Sequence, residues 1–189
     1  MKTVMLAAVA VATSAQIAAA TDFEAMARSY VDQAAASWAT APLLIEAIRL
    51  QNDRTAGLSE AEIVAMDTAW QAEIGSTDMP TIDGVLSNAA SDFLRARLDE
   101  AGGVISEAFV MDSVGLNVAA TGITSDYWQG DEAKWQQTYL MGPDAVYLGE
   151  LELDESTQAF QIQISMPIVD PDSSELIGAI TIGLNAEAL

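Results

Sequence analysis

The residues best suited to chemistry lie between positions 125 and 135, a short helix-like stretch that concentrates aromatic, acidic and amide side chains. Tyrosine and tryptophan offer flat apolar faces with a polar edge, which suits contact with a small organic molecule or a cationic amine. Lysine can pair with a ligand carboxylate, and aspartate can pair with a ligand amine. A zwitterionic molecule would satisfy both kinds of group. The candidate ligand-binding residues of this first set are Tyr127, Trp128, Trp135, Lys134, Asp126, Asp131 and Asp154.

The same residues also have a purely structural interpretation. Trp128 and Trp135 are seven positions apart, which is the spacing of core residues on one face of a helix. Lys134 is the only lysine beyond residue 20, but a solvated surface lysine is the ordinary alternative. The sequence leaves both interpretations open.

The absence of histidine and cysteine excludes several common kinds of catalytic site. Serine–histidine and cysteine–histidine nucleophilic mechanisms require these residues, and so do the usual zinc sites. Paired carboxylates would still allow glycoside hydrolysis, but the 28 acidic residues show no specific pair. We therefore expect no enzymatic activity, no cofactor and no metal. The acidic segment 170–175 lacks the glycine and the ligand spacing of a calcium loop, so we expect a plain turn there.

The charge of the chain excludes another class of partner. With a formal net charge of −21 over 189 residues, the protein is strongly acidic, and no basic stripe interrupts the negative surface. Such a surface repels phosphate backbones and anionic lipid headgroups. We expect no nucleic-acid partner.

Residues 1–20 have the composition of an export signal. Lys2 gives a positive start, residues 4–12 form an apolar run, and residues 18–20 are small alanines typical of a cleavage site. The apolar run is shorter than the roughly 20 residues that a membrane span requires, although an uncleaved anchor remains an alternative. We expect a periplasmic protein whose residues 21–189 form one domain.

Residues 21–103 are predicted to be mainly helical. Apolar residues recur at helical spacing over 23–48, where Pro42 is expected to kink the helix or begin a second one. Ser59 begins a capping-box pattern ahead of another helix. The run 82–98 is predicted to form one further helix.

Residues 104–189 are predicted to form about five antiparallel strands, with a helical insert between the second and the third. Valine, isoleucine and phenylalanine are frequent in these runs, and turn residues separate them. The predicted strands are 104–111, 116–121, 145–153, 159–166 and 176–184, and residues 168–169 form a separate extended piece before the last turn.

The fourth predicted strand alternates between apolar and polar side chains. One face carries Phe160, Ile162, Ile164 and Met166, and the opposite face carries Gln161, Gln163 and Ser165. The apolar face is expected to pack on the long helix. The polar face either faces water or lines a ligand cavity, so Gln163 and, from the preceding strand, Tyr147 complete the candidate ligand-binding residues.

Two stretches of the second half resemble the single Cache sensor domains, the extracytoplasmic PAS-like modules of bacteria. The first stretch runs from Gly115 through Thr124-Ser125-Asp126-Tyr127-Trp128 to Lys134-Trp135, and the second combines residues 154–157, 161–167 and 177–183. The resemblance implies an α+β fold, in which long N-terminal helices pack on a roughly five-stranded antiparallel sheet. It also implies that a small ligand lies on the other face of the sheet, under the helical insert.

The resemblance further implies a role in signal transduction. Ligands of the family include amino acids, carboxylates and other small metabolites, and the sensor domain is usually followed by a membrane helix and an output module. No such module follows here, so we expect a freestanding exported sensor or a fragment, with a membrane-bound sensor kinase or chemoreceptor as partner. Pairing of two copies through the helix at 23–48 is expected by the same analogy. The alternative is an accessory module that docks on a membrane receptor without binding a small ligand.

Overall fold

A computed structural model describes residues 25–26, 28–30, 37–154 and 159–188. The predicted export signal at 1–20 and the predicted turn at 155–157 lie outside these residues, as does most of the N-terminal part of the helix expected at 23–48. The fold is α+β, as predicted, with helices in the first half and a five-stranded antiparallel sheet in the second. No helix in the described ranges is long and apolar enough to cross a membrane.

The helices of the first half begin where the sequence places their start signals. Pro42 occupies the first turn of α1, where its missing N–H has no intrahelical partner to lose, so it begins a new helix. Ser59 caps α2, and its own N–H donates to the Glu62 carboxylate (2.8 Å), which completes the predicted capping box. The four helices are α1 (Pro42–Thr55), α2 (Glu60–Glu73), α3 (Pro80–Leu86) and α4 (Ala89–Glu100).

The prediction of a single helix over 82–98 was wrong, because the helix is interrupted at residues 87–88, between α3 and α4. Asn88 accepts a hydrogen bond from the N–H of Ser91 (2.9 Å) and so caps α4. Its amide nitrogen donates to the carbonyl of Val118 in the sheet (2.9 Å). An asparagine that bonds to backbone on both sides competes with a continuous helix, and the apolar spacing alone did not show this.

The five strands form one antiparallel sheet in the order β2-β1-β5-β4-β3. Residues 168–169 belong to β4 and are not a separate piece, which corrects the sequence prediction. Pro167 does not interrupt the strand because β3 pairs with β4 only as far as Ser165, so the proline lies beyond the end of β3. The strands are β1 (Ile105–Met111), β2 (Asn117–Ala120), β3 (Tyr147–Asp154), β4 (Ala159–Val169) and β5 (Leu176–Asn185).

One face of the sheet is covered by α1 and α4. Leu44 and Ile48 of α1 and Leu94 of α4 are fully buried against a layer of isoleucines from the sheet. Ile162 and Ile164 belong to this layer, so the apolar face of β4 packs on helices, as predicted. Complete burial of such side chains contributes roughly 1.5–3 kcal/mol each.

The opposite face of the sheet carries a second and smaller core over β1 and β2. Trp70 of α2 and Ile82 of α3 are fully buried there together with Phe109 and Met111 of β1. The insert between β2 and β3 contributes Tyr127 and other side chains to the same core. The core ends before β3, which leaves the polar face of β4 beside the insert.

The turn between β4 and β5 is tied to α1 by an ion pair. The Arg49 guanidinium donates two hydrogen bonds to the Asp170 carboxylate and a third to Asp172 (2.7 Å). Hydrogen bonding from Arg49 lowers the pKa of Asp170 to about 2. The acidic segment 170–175 is therefore a turn that is paired with an arginine.

We expect Asp170→Asn to destabilise the protein in a pH-dependent way. The pKa of Asp170 is lower in the folded state than its ordinary value of 3.8, so its contribution is complete above about pH 4 and is lost as the pH falls towards 2. Urea unfolding of both proteins between pH 7 and pH 2.5 measures this difference.

The matched control is Asp172→Asn, because 80% of that side chain is exposed, compared with 6% for Asp170. The control is expected to change the free energy of unfolding much less. A difference between wild type and Asp170→Asn that stays constant down to pH 2.5 would contradict the assignment.

Candidate ligand-binding hollow

The start of the insert is attached to helix α2. The carboxylate of Asp67 accepts hydrogen bonds from the backbone N–H groups of Tyr127 (2.8 Å) and Trp128 (3.0 Å). The ring of Trp70 stacks on Tyr127 with 5.4 Å between centroids, and its indole N–H donates to the carbonyl of Thr124 (2.9 Å). These contacts fix the backbone at 124–128 against a helix that belongs to the second core.

The insert is also attached to the turn between β1 and β2. The indole N–H of Trp128 donates to the carbonyl of Val114 (2.9 Å). The backbones of Leu116 and Trp128 form an isolated antiparallel β-bridge. Gly130 and Gly115 make this approach possible: a Cβ on Gly130 would lie 2.3 Å from the indole nitrogen, and a Cβ on Gly115 would lie 2.5 Å from the Gly130 Cα. Gly115 also has φ +89°, which glycine adopts most readily.

Only a small part of the stretch 125–135 is helical, which corrects the sequence prediction. Helix α5 spans Ala133–Gln136, and the backbone at 127–129 is held by hydrogen bonds to α2 and to the β1–β2 turn. Trp135 on α5 is buried, stacks on Tyr139 with 5.0 Å between centroids, and donates its indole N–H to the carbonyl of Asp112 (3.3 Å).

The floor beside the insert is a row of polar side chains that cross strand β5. The amide nitrogens of Gln163 (2.8 Å) and Gln161 (3.4 Å) on β4 donate to the Glu107 carboxylate on β1. Strand β5 lies between them, and Gly183 is the β5 residue in register with both Glu107 and Gln163. A Cβ on Gly183 would lie 2.7 Å from Glu107 Cγ, so the crossing requires a glycine at this position.

An open cavity of about 420 Å³, which we call the hollow, lies between the insert and the polar side of β3 and β4. Its volume is within the usual range of sites for small molecules. A smaller cavity of about 200 Å³ lies on the other side of Phe109 and Glu107, against residues 120–124. The hollow is lined by Ser125, Glu132, Ala133, Lys134, Tyr147, Gly149, Glu150, Glu152, Gln161 and Gln163.

Lys134 stands at the inner end of the hollow with little exposure to solvent. Only 14% of its side chain is exposed, and its ammonium lies 5.5 Å from the centroid of the Phe109 ring. The ammonium pairs with the Glu132 carboxylate (2.9 Å) and donates to the side-chain oxygen of Gln129 (3.2 Å). The lysine is therefore held in place by its own neighbours.

The structure brings together three of the sequence-predicted site residues. Lys134, Tyr147 and Gln163 line the hollow, which identifies the polar face of β4 as one wall of a cavity. Two others, Tyr127 and Trp135, pack in the second core. Burial, together with the negative charge of Asp112, raises the pKa of Tyr127 to about 12.

The remaining four candidates lie elsewhere. Trp128 is half-buried against the β1–β2 turn, and Asp126 accepts a hydrogen bond from Gln71 of α2 (2.8 Å). Asp131 is exposed at the surface of the insert. Asp154 is the last residue of β3, and its side chain lies outside the described part of the structure.

The sequence prediction missed all three acidic residues of the hollow, Glu132 on the insert and two on β3, and those on β3 were missed because of an irregularity in that strand. Simple alternation from Tyr147 would place Leu151 and Leu153 on the side of the hollow. The register shifts between Leu148 and Leu151, however, so that Glu152 pairs with Gln161 and faces the same side as Tyr147. Glu150 lies within the shifted stretch and also lines the hollow. Gln161, in contrast, was predictable from its position two residues before Gln163.

We expect Asp67→Ala to loosen the insert and to reduce stability by roughly 1–3 kcal/mol, because two backbone N–H groups lose a charged acceptor. The matched control on the same helix is Gln71→Ala, which removes only exposed hydrogen bonds to Asp67 and Asp126. Urea unfolding measures the loss, and faster amide hydrogen exchange at Tyr127 and Trp128 locates it. Equal losses in both variants would show that Asp67 does not anchor the insert.

Comparison of the structure with solved structures finds sensor domains of bacterial receptors. The sensor domain of the histidine kinase DctB from V. cholerae is 13% identical with a TM-score of 0.40, and the match covers 77% of this chain and 57% of that one. The ligand-binding domain of the Campylobacter jejuni chemoreceptor Tlp3, in complex with 4-methylisoleucine, is 12% identical with a TM-score of 0.41, covering 78% and 62%. That of the Pseudomonas fluorescens chemoreceptor CtaA, with L-alanine, is 11% identical with a TM-score of 0.40, covering 77% and 56%.

These similarities concern the fold alone. The chain spans less than two thirds of the length of each of the three structures. No family model matches the sequence, and no curated protein matches it. The architecture that the resemblance implied is confirmed: helices cover one face of a five-stranded antiparallel sheet and an insert lies on the other.

Proposed function

We propose that this protein is a small-molecule sensing module whose ligand binds in the hollow. The observation that carries the proposal is a cavity of about 420 Å³ over the polar face of β4, where Lys134, Tyr147 and Gln163 converge from three separate elements. The neighbouring part of the same face is filled by the second core, so the hollow does not simply continue a solvent-exposed sheet.

The hollow is built in a way that favours binding. Its floor is fixed by the hydrogen bonds between Glu107 and the two glutamines, and its inner end is fixed by the pairing of Lys134. The insert above is anchored through Asp67 and Trp70. A site whose side chains are already held in place loses less conformational entropy when a ligand binds. Gln161 and Gln163 are half-buried, as the wall of a site requires, and are not simply extended into water.

The biological setting is part of the proposal. The composition of residues 1–20 supports export to the periplasm. The ligand would be an amino acid, a carboxylate or a similar small metabolite, and the partner a membrane-bound sensor kinase or chemoreceptor. Residues 21–189 would act as one domain in signal transduction, paired with a second copy through residues 23–48. The arrangement serves binding, and we propose no enzymatic activity.

A second function, docking on a membrane receptor without a small ligand, is favoured by one feature. The outer strand β3 exposes Leu151 and Leu153, and Phe160 on β4 is exposed beside Leu153, its partner in the sheet. Among the described residues these side chains form an apolar stripe on the edge of the sheet. Co-purification with an inner-membrane receptor in the absence of any ligand response would favour this function.

We expect thermal unfolding to shift upwards with at least one class of metabolite from a panel of amino acids, amines and carboxylates. A ligand at a hundredfold excess over its dissociation constant stabilises the folded state by about 2.7 kcal/mol. For a chain of this size, such a change raises Tm by roughly 5–10 °C. A panel without any shift would contradict the proposal.

A second experiment tests whether the metabolite that shifts Tm binds in the hollow. Gln163→Ala is expected to reduce or abolish the shift, because Gln163 lies in the wall of the hollow. The matched control is Gln137→Ala, because Gln137 is exposed on the insert outside the hollow. If both variants keep the full shift, the ligand binds elsewhere.

A further inference from the structure

We infer that the hollow selects a cationic amine, a ligand with ammonium or guanidinium N–H groups and no carboxylate. This inference rests on the proposed function and names the class of ligand for the same site. It follows from the charges and the hydrogen bonds of the hollow, where the lysine and one N–H of each amide are engaged within the protein and the acceptors of Gln163, Glu150 and Glu152 are open.

Most side-chain donors of the walls are partly engaged within the protein. Gln161 and Gln163 each direct one amide N–H to the Glu107 carboxylate. Because a carboxylate only accepts, this contact fixes which end of each amide faces Glu107. The Ser125 hydroxyl donates to the Asp126 carboxylate (2.7 Å). Among the described side chains, the uncharged donors left for a ligand carboxylate are the second N–H of each amide and the Tyr147 hydroxyl.

The one cation of the hollow is also engaged. Lys134 forms an ion pair with Glu132, donates to Gln129, and lies over the ring of Phe109. A carboxylate ligand would have to displace Glu132 or share the ammonium with it. A ligand carboxylate that shares the ammonium with the Glu132 carboxylate is repelled by it, so the site favours neither arrangement.

Three acceptor side chains, in contrast, are open. In the described part of the chain, no hydrogen bond or ion pair occupies the carboxylates of Glu150 and Glu152, which lie on the rim formed by β3. The side-chain oxygen of Gln163 has no donor there either, whereas that of Gln161 accepts from the Ser106 hydroxyl (2.8 Å). Among the described residues, three carboxylates and one ammonium line the hollow, which gives a formal charge of −2. An ammonium or guanidinium group supplies both the positive charge and the N–H donors that these groups lack.

Hydrogen bonding, more than aromatic stacking, is expected to hold the cation. Of the described residues that line the hollow, Tyr147 is the only aromatic one, whereas recognition of quaternary ammonium groups uses cages of several rings. A ligand with N–H groups is therefore expected to bind more tightly than its permethylated analogue.

The test uses three four-carbon molecules that differ in charge: butane-1,4-diamine, 4-aminobutanoate and butanedioate. Calorimetric titration of the full chain at one low ionic strength is expected to give the tightest binding for the diamine. Replacing one ammonium by a carboxylate is expected to weaken binding roughly tenfold, and the dianion is expected not to bind measurably.

Two matched double variants distinguish binding in the hollow from general attraction of the diamine to the acidic surface. Glu150→Gln with Glu152→Gln is expected to weaken diamine binding roughly 2- to 30-fold. Glu175→Gln with Glu187→Gln removes the same charge from exposed positions outside the hollow and is expected to change binding less than twofold. Equal weakening by the two pairs would show that the diamine binds the acidic surface in general, and would overturn the inference.

The remaining outcomes distinguish the inference from the proposed function. Tighter binding of 4-aminobutanoate or butanedioate than of the diamine would overturn the inference and leave a ligand-binding module in place. If none of the three molecules binds but another metabolite of the panel does, the charge of that metabolite decides. Binding of a cationic metabolite supports the inference, and binding of an anionic or zwitterionic metabolite overturns it. A chain that binds no member of the panel contradicts the proposed function and the inference together.

Discussion

The attachment of the insert to helix α2 is the constraint on which the rest of the functional face depends. The chain of 26 residues between β2 and β3 contains one short helix, α5, and one isolated β-bridge from Trp128 to Leu116, so its position depends largely on side-chain contacts. The Asp67 carboxylate bonds to two of its backbone N–H groups, and Trp70 fixes the adjoining ring of Tyr127. With its start fixed over β1 and β2, the insert places α5 beside β4 and closes one side of the hollow.

The two faces of the sheet are stabilised in different ways. The face under α1 and α4 is apolar throughout, and burial against helices stabilises it. The other face is divided, because an apolar core fills the part over β1 and β2 whereas polar side chains cover the part over β4. Gly183 makes this division possible by leaving space above β5, through which Glu107 reaches the glutamines of β4. A half-buried polar row is stable when its members are paired, and here Glu107 accepts a hydrogen bond from each of the two glutamines.

The sequence predicted the architecture well because periodicity and start signals reflect local physics. Pro42, the capping box at Ser59 and the alternation in β4 each act within a few residues, and each was found where predicted. The site was predicted less well because its geometry depends on contacts between distant segments. Nothing local shows that Tyr127 meets Trp70 of α2 and becomes part of a core. The shifted register of β3, which turns Glu152 towards the hollow, likewise arises from its pairing with β4.

Structural and binding roles are linked in the hollow because they use the same hydrogen bonds. The bonds that hold Gln161 and Gln163 in place use one N–H of each amide, and Lys134 is held by its ion pair with Glu132. A glutamine that is fixed by donating to Glu107 turns its nitrogen towards the protein, and the side-chain oxygen of Gln163 stays open. Turning both amide nitrogens towards a ligand carboxylate would break the bonds to Glu107 and release the floor. The preference for N–H donors that we propose therefore follows from how the walls are held and from the carboxylates of Glu150 and Glu152 on the rim.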